Sequence, residues 1–513
     1  MENGCKQRIQ AMEAGNLPQN SVISTDGVGM NDHLSNSSLL KQEQNGGSKT
    51  SNSIFPISTF QTRLRQKMKD SSTLLVLIPT FCIFLSFLGT YIAKYPLFVV
   101  DYGNEKLFGN LGIKDGFSYA FTLGFFLGKF PSYKYIPSIE RKERFNILLV
   151  LYSATSVFMT ACLPLHKPPF FAALLKTMGV FVGSLFGSAI FGTEMLYLEG
   201  RSHGDIFLAA FNCVITFGPS IARATGKMFL HQLPGQWMPL ALVLFYAPVV
   251  AFTLVCLDAM PNPNDRDRQS MGERTVMTAS QKSLFLRKHG VGLIPLFLGY
   301  AFSTGFRFLR DFFALEVYRD LLQREPEPFD YVMADWVGGL VSIVLVVGLS
   351  RVANNALAMM LLHVMIVSAA LIMGVSVVLF SRGTISPQVF IVLVGLGVTL
   401  SMTPFSGSLF DRVIACTRTK GTAIFLILIA DGCGYIGVFL CLFYKTTSET
   451  TIIPSASGEA ISSSYSKLFL NGCYAFSAIL SVTGLLSATY WSMVAQKSAK
   501  GFELPWQGRT HRE

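Results

Sequence analysis

The chain has 513 residues, of which 50% are hydrophobic and only 14% are charged, whereas a typical soluble domain carries about 25% charged residues. This composition excludes an ordinary water-soluble protein. The apolar residues form runs of about 18 to 26, the length of a helix that crosses about 30 Å of hydrocarbon. The runs are continuous rather than alternating, which favours helices over a β-barrel. The net charge of +11 is typical of basic cytosolic loops, and we expect no nucleic-acid partner.

In chain order, residues 1–70 are rich in Asn, Ser, Gly and Gln, and we expect a disordered cytosolic tail. Twelve apolar spans follow, at residues 73–98, 117–136, 145–164, 169–196, 206–230, 238–258, 291–317, 331–350, 355–380, 388–410, 422–444 and 467–495. The pattern predicts an all-α polytopic membrane protein of two six-helix bundles, at 71–258 and 291–495. A cytosolic linker at 259–290 separates the bundles, and 496–513 form a C-terminal tail.

Loop charge predicts the orientation. Four basic residues precede the first span directly, and they are Arg63, Arg65, Lys67 and Lys69. If the N-terminus is cytosolic, the inner loops hold about 15 basic residues and the outer loops about 7. We therefore expect an integral, multi-pass protein with both termini in the cytosol, and the sequence does not identify the membrane.

Basic residues inside the spans are the strongest functional signal, since each costs at least about 2.5–3.5 kcal/mol at the bilayer centre unless it is paired or hydrated. Lys94 in span 1 and Arg307 in span 7 lie at similar depths in the first spans of the two bundles. A pseudo-two-fold axis along the membrane normal would place them opposite each other across a central cavity. Lys129 lies near the middle of span 2. We predict a substrate site for an anion, because Lys and Arg can replace the hydration of a phosphate or carboxylate. Its predicted residues are Lys94, Lys129, Arg307, Arg310 and Tyr91.

Other interpretations of these basic residues stay open. Lys94 could extend its ammonium outward to the membrane surface. Arg310 could pair with Asp311 or Asp335 near the outer end of the bundle. Each of these arrangements would be structural rather than substrate-binding.

The acidic residues in the spans are fewer. Asp431 in span 11 and Glu194 near the cytosolic end of span 4 are candidates for proton coupling, although Asp431 could instead pair with Lys129. The nine cysteines form no CxxC pair, and the chain lacks the HExxH, GxSxG and P-loop patterns. We therefore expect no catalytic residues, no metal ligands and no cofactor.

The loop between spans 2 and 3 reads Glu140-Arg141-Lys142-Glu143-Arg144. It resembles the acidic-Arg-x-x-Arg loop of the major facilitator superfamily, and the layout of six spans, linker and six spans is similar to that superfamily. The glycine that precedes this signature in the superfamily is missing here. The resemblance implies a gating role for Glu140, Arg141 and Arg144.

Two further stretches resemble the organophosphate/phosphate antiporter branch. Tyr91-Ile92-Ala93-Lys94 stands where that branch has Tyr-x-x-Arg, and Lys129-Phe130 stands at its Lys-Phe. Arg307 or Arg310 takes the place of its second substrate arginine. Residues 198–206, 237–274, 306–321 and 410–437 are similar to a narrower family, domain of unknown function 5690, over roughly residues 75–495. That likeness implies a fold and no substrate.

The sequence thus predicts a monomeric secondary transporter that moves a small organic anion, such as a phosphorylated or carboxylated metabolite, by alternating access. Two alternatives remain. One is a proton-coupled carrier of another small solute, and the other is a non-transporting receptor or scaffold built on a transporter fold.

Overall fold

The computed structural model describes residues 57–499 except for 104, 110, 199–200, 202–203, 264–277, 407, 418–423 and 452–461. Twelve long helices make up most of this part of the chain. They are α2 (Ser72–Lys94), α3 (Ile113–Tyr135), α4 (Arg141–Thr160), α5 (Pro169–Met195), α6 (Gly204–Leu230), α7 (Met238–Asp258), α8 (Ala279–Phe312), α10 (Pro328–Ser350), α11 (Asn355–Ser381), α12 (Pro387–Met402), α14 (Ile424–Thr451) and α15 (Ser462–Ala499). The shorter helices are α1 (Ile57–Asp70), α9 (Ala314–Leu322) and α13 (Ser408–Cys416).

Each predicted span overlaps one long helix. Within the described residues, ten of these helices are long and apolar enough to cross a membrane by length and composition. The other two, α3 and α4, carry more charge. Lys114, Asp115 and Lys129 lie in α3, and α4 opens on the charged run 141–144. The multi-pass helical class is therefore confirmed, while the number of twelve crossings stays a prediction.

The disordered tail predicted for residues 1–70 extends too far along the chain. Residues 57–70 form the helix α1, while residues 1–56 lie outside the described part of the chain. The helix forms because apolar side chains recur at helical spacing, at Ile57, Phe60, Leu64 and Met68. Met68 is fully buried.

The second wrong boundary is the start of the C-terminal bundle. Helix α8 begins at Ala279, so the end of the predicted linker 259–290 belongs to the helix. Thr278 caps it by accepting from the backbone N–H of Gln281, and the Gln281 side chain accepts from the backbone N–H of Thr278. This reciprocal capping box satisfies two donors that would otherwise lack partners, which lets a polar stretch start a helix.

The helices form an N-terminal half (α2–α7) and a C-terminal half (α8–α15). In the first, α5 packs on α3 and α4, and α2 packs on α6 and α7; in the second, α8 packs on α14 and α15, and α11 packs on α12 and α15. Glycine permits the α3–α5 approach, because a Cβ at Gly124 would lie 2.3 Å from the carbonyl oxygen of Phe181. The halves meet where α6 packs on α10 and α3 packs on α14.

The two ends of the molecule are distinguishable. Between α2 and α3 a small antiparallel hairpin pairs β1 (Lys106–Phe108) with β2 (Leu111–Gly112). We call the end that carries this hairpin and α9 the hairpin end, and the opposite end, where α1 contacts the last turn of α7, the α1 end. The loop-charge prediction places the hairpin end outside.

Candidate functional site

Six ionisable side chains from both halves gather towards the hairpin end, and we call them the charge cluster. They are Lys94, Arg223, Arg307, Arg310, Asp311 and Asp335. Lys94 is the last residue of α2, Arg223 lies in α6, the next three lie near the end of α8, and Asp335 lies in the second turn of α10. The cluster contains four basic side chains and two carboxylates, a surplus of two positive charges in formal charge.

The two carboxylates are shared between two arginines. Arg223 places Nη1 3.1 Å from Asp311 Oδ1 and Nη2 3.0 Å from Asp335 Oδ2. Arg310 Nη2 lies 2.9 Å from Asp311 Oδ1 and 2.7 Å from Asp335 Oδ1. All four side chains are buried. The arrangement observed is thus the one in which Arg310 pairs with Asp311 and Asp335, and Arg223 completes it from the other half.

Lys94 has a different environment. Its ammonium donates to Tyr95 Oη at 3.4 Å and lies 3.6 Å from the ring centroid of Phe121 and 4.5 Å from that of Phe308. Tyr95 Oη in turn donates to Asp311 Oδ2 at 3.2 Å. No carboxylate of the described residues lies within ion-pair distance of Lys94. Only 7% of Lys94 is exposed, so it is enclosed by protein rather than extended to the membrane surface.

Arg307 is also incompletely neutralised. Its Nη2 donates to the carbonyl of Ile215 at 2.7 Å, and its Nε lies 3.7 Å from Asp311 Oδ2. That carboxylate is already shared by Arg223 and Arg310, which both contact its other oxygen, Oδ1. Tyr91, the predicted aromatic residue of the site, stacks on Tyr95 with ring centroids 5.7 Å apart. The two residues first predicted as partners, Lys94 and Arg307, therefore lie in one cluster, joined through Tyr95 and Asp311.

Lys129 and Asp431 pair with each other, as the alternative interpretation allowed. The contact joins α3 of one half to α14 of the other, and the two side chains are 21% and 25% exposed. Lys129 comes six residues before Tyr135 and Asp431 seven residues after Ile424, so the pair is nearer the α1 end of these helices than the predicted midplane position. The shift follows from the helix bounds, since α3 begins before the predicted span and α14 extends beyond it.

An aromatic wall separates Lys129 from Lys94, so these two predicted substrate residues do not share one cluster. The ring centroid of Phe125 lies 5.4 Å from that of Phe121, which contacts Lys94, and 5.7 Å from that of Tyr435. The Lys129 ammonium lies 5.1 Å from the Tyr435 centroid. We call Phe121, Phe125, Phe308 and Tyr435 the aromatic wall.

Glu194 lies inside the N-terminal half and does not contact the charge cluster. Its Oε1 accepts from Ser86 Oγ at 2.6 Å and from Tyr152 Oη at 2.7 Å. It is fully buried, and no Lys or Arg of the described residues pairs with it. Glu194 thus has hydroxyl partners and no cation among the described residues, and its role in proton coupling stays a prediction.

The predicted gating loop is bonded within the N-terminal half. Arg141 donates to the carbonyl of Met260, and Arg144 Nη1 donates to the carbonyl of Leu196 at 2.6 Å. Glu140 pairs with Lys142 at 2.7 Å on the exposed surface. These bonds tie the start of α4 to the ends of α5 and α7, and its role in gating stays a prediction.

Four ion pairs join the halves at the hairpin end, and we call them the hairpin-end pairs. They are Lys114–Glu316 (2.5 Å), Asp115–Lys445 (2.6 Å), Asp101–Arg319 (3.0 Å) and Lys227–Glu325 (3.0 Å). Together with Arg223 they close this end of the interface between the halves. These pairs could not be predicted from the sequence, because each partner alone resembles an ordinary loop or interfacial charge and the pairing depends on contacts between distant helices.

Asp320 in α9 offers a pH test of this end of the molecule. Burial, reinforced by nearby Glu316, raises the pKa of Asp320 from 3.8 to about 6. Because the folded state binds the proton more tightly than the unfolded chain, stability falls as the pH rises through this interval. We expect Asp320→Asn to raise the midpoint of thermal unfolding at pH 7 and to leave it unchanged near pH 3. An equal gain at both pH values would contradict the ionisation argument.

Comparison with solved structures places this fold in a class. The chain is similar to a bacterial homologue of the human lysosomal transporter Spinster in its inward-facing, unoccupied conformation, with TM-score 0.51 and 13% identity over 84% of this chain and 98% of that chain. It is similar to a D-xylose-proton symporter with TM-score 0.53 and 12% identity over 84% and 99% of the two chains. The fold is that of major-facilitator-type transporters.

The family is narrower than this class. Residues 96–493 match the family of unknown function DUF5690, and the chain belongs to that family. The resemblance inferred from the sequence is thereby confirmed. No curated protein matches the chain. Within the described residues, no group of His, Cys, Asp and Glu is arranged to hold a metal ion.

Proposed function

We propose that this protein is a secondary transporter of a small organic anion, which it moves by alternating access. The observation that carries the proposal is the two-charge surplus of the charge cluster. Burying uncompensated charge is costly in a low-dielectric interior, so a cluster of four cations and two carboxylates favours a bound anion. A phosphorylated or carboxylated metabolite has the required chemistry.

Lys94 and Arg307 are the cations best placed to take this anion. Arg223 and Arg310 already share both carboxylates. Among the described residues, Lys94 has only Tyr95 and aromatic rings as partners, and Arg307 has a backbone carbonyl and one distant carboxylate oxygen. Tyr91 lies beside them, stacked on Tyr95, and its hydroxyl could donate to the same ligand. A phosphate or carboxylate would gain charge-assisted hydrogen bonds from both cations.

Alternating access requires the interface between the halves to open at each end in turn. The hairpin-end pairs and Arg223 close one end, and the Lys129–Asp431 pair joins the halves towards the other end. In the proposed cycle these two sets of contacts break alternately. The fold neighbours, which are transporters, support this mode of action and favour a carrier over an enzyme.

The first test is to find the ligand and then remove the two cations. A thermal-shift screen of phosphorylated and carboxylated metabolites would supply a ligand for uptake assays in proteoliposomes. We expect Lys94→Gln and Arg307→Gln each to reduce uptake about 10- to 100-fold, because a hydrogen bond to a charged group is worth about 1.5–3 kcal/mol. Lys106→Gln, at an exposed position of β1, is the control. Unchanged uptake by both site variants would refute the proposal.

The alternative of a proton-coupled carrier uses the same vesicles. Glu194 is buried without a cation among the described residues, and Asp431 would have to leave Lys129 to be protonated. A rate of uptake that an imposed pH gradient does not change would count against proton coupling. If the protein is instead a receptor or scaffold, we expect that none of the screened solutes raises its midpoint of thermal unfolding and that none is taken up.

A further inference from the structure

Helix α1 is amphipathic, with an apolar face that is bordered by basic side chains. At about 100° per residue, Ile57, Phe60, Leu64 and Met68 fall on one face of the helix. Basic side chains lie on both borders of that face, with Arg63 and Lys67 on one side and Arg65 and Lys69 on the other. The side of the helix opposite the apolar face is polar and mostly uncharged.

The apolar face is covered along only part of its length. Met68 is fully buried, whereas Phe60 is 40% and Ile57 61% exposed. The Phe60 ring lies 6.1 Å from that of Phe252, which is 59% exposed on the outer side of α7. Because α7 is a candidate membrane span, its exposed aromatic surface faces lipid, and the start of α1 continues that lipid-facing surface.

The helix is fixed in this position by polar contacts at the end of α7. Gln61 Nε2 donates to Asp258 Oδ2 at 3.2 Å, and Arg65 Nε donates to the carbonyl of Ala259 at 3.3 Å. Ser71 then caps α2 directly, so α1 runs into a membrane span without an intervening loop. An amphipathic helix held beside the ends of two spans lies at the level of the lipid headgroups.

Three basic residues of α1 have no ion-pair partner among the described residues, and they are Arg63, Lys67 and Lys69. All three are exposed. We propose that α1 is a binding surface for an anionic membrane leaflet, with Ile57 and Phe60 in the acyl boundary and these three side chains on the lipid phosphates. Long basic side chains bordering an apolar face reach headgroups while their stems remain in apolar surroundings. This inference does not depend on the proposed transport function.

Hydrogen exchange of residues 57–70 tests it on the full chain in nanodiscs. We expect exchange in α1 to slow about tenfold or more when phosphatidylglycerol is added to phosphatidylcholine, since each basic residue near an anionic surface contributes measurably to binding. The slowing should fade in 1 M salt, where the Debye length falls to about 3 Å. Inorganic phosphate added to neutral nanodiscs should have no effect.

Two variants separate the lipid contact from helix stability. The variant R63Q/K67Q/K69Q should exchange as the wild type does in neutral nanodiscs and should lose the response to phosphatidylglycerol. The charge-preserving variant R63K/K67R/K69R should keep the response. Equal exchange of the wild type in both nanodiscs, a full response of the Gln variant, loss of the response in both variants or protection by free phosphate would each overturn the proposal.

Discussion

Replacing Asp335 with alanine is expected to lower the free energy of unfolding by about 3–5 kcal/mol, the usual cost of removing one partner from a buried ion pair. Arg223 and Arg310 would then share Asp311 alone, and the cluster would hold one carboxylate among four cations. The lost stability should appear as a lower midpoint of thermal unfolding in detergent. Glu140→Ala, at an exposed pair, should cost no more than about 1 kcal/mol.

A double variant distinguishes lost charge balance from lost packing. In R310M/D335L both members of the 2.7 Å pair become apolar, while Arg223 keeps Asp311. Because replacing a complete buried pair with apolar groups is often close to neutral, this variant should be more stable than Asp335→Ala. If it is as unstable as the single variant, the charge argument is wrong and packing around Asp335 decides the stability.

Gly437→Ala is expected to have the second large effect. A Cβ at this position would lie 1.9 Å from the carbonyl oxygen of Ala301, where α14 crosses α8. The contact is with backbone, so the helices themselves must separate, and overpacking of this kind costs about 1–3 kcal/mol or more. We expect a lower midpoint of thermal unfolding. Since the crossing lies in the C-terminal half, that half should lose stability.

The matched control lies five residues earlier in the same helix. A Cβ at Gly432 would meet nothing within 4 Å among the described residues. Gly432→Ala should therefore leave stability unchanged or raise it by up to about 1 kcal/mol, through the higher helix propensity of alanine. Equal losses in both variants would show that helix propensity or local chemistry, and not the α8–α14 approach, governs the effect.

Much of the architecture could be predicted from the sequence, because a membrane span is determined locally by its own length and hydropathy. The prediction failed where another local signal acted. A short amphipathic period produced α1, and the Thr278–Gln281 capping box extended α8 into the predicted linker. Hydropathy over a span-length window does not register either signal.

The site was only partly predictable. Lys94, Arg307 and Arg310 stood out because basic residues within spans are costly, and the equivalence of the two halves brought the first two together. Arg223 could not be assigned to the site from the sequence, since its role depends on the packing of α6 against α10, which places its Nη2 3.0 Å from Asp335 Oδ2. The aromatic wall was missed for a related reason: phenylalanines in a span are common, and only the fold shows that Phe121 and Phe125 stand between two lysines.

The two-charge surplus would also make the proposed carrier sensitive to voltage. Moving one elementary charge through the full membrane potential involves about 2.3 kcal/mol per 100 mV. A doubly charged anion bound by Lys94 and Arg307 would cancel the surplus, so the loaded protein could change conformation with little electrical work. The empty protein would carry both charges through whatever part of the field its movement spans. The return step, and not the loaded one, would then set the dependence of turnover on membrane potential.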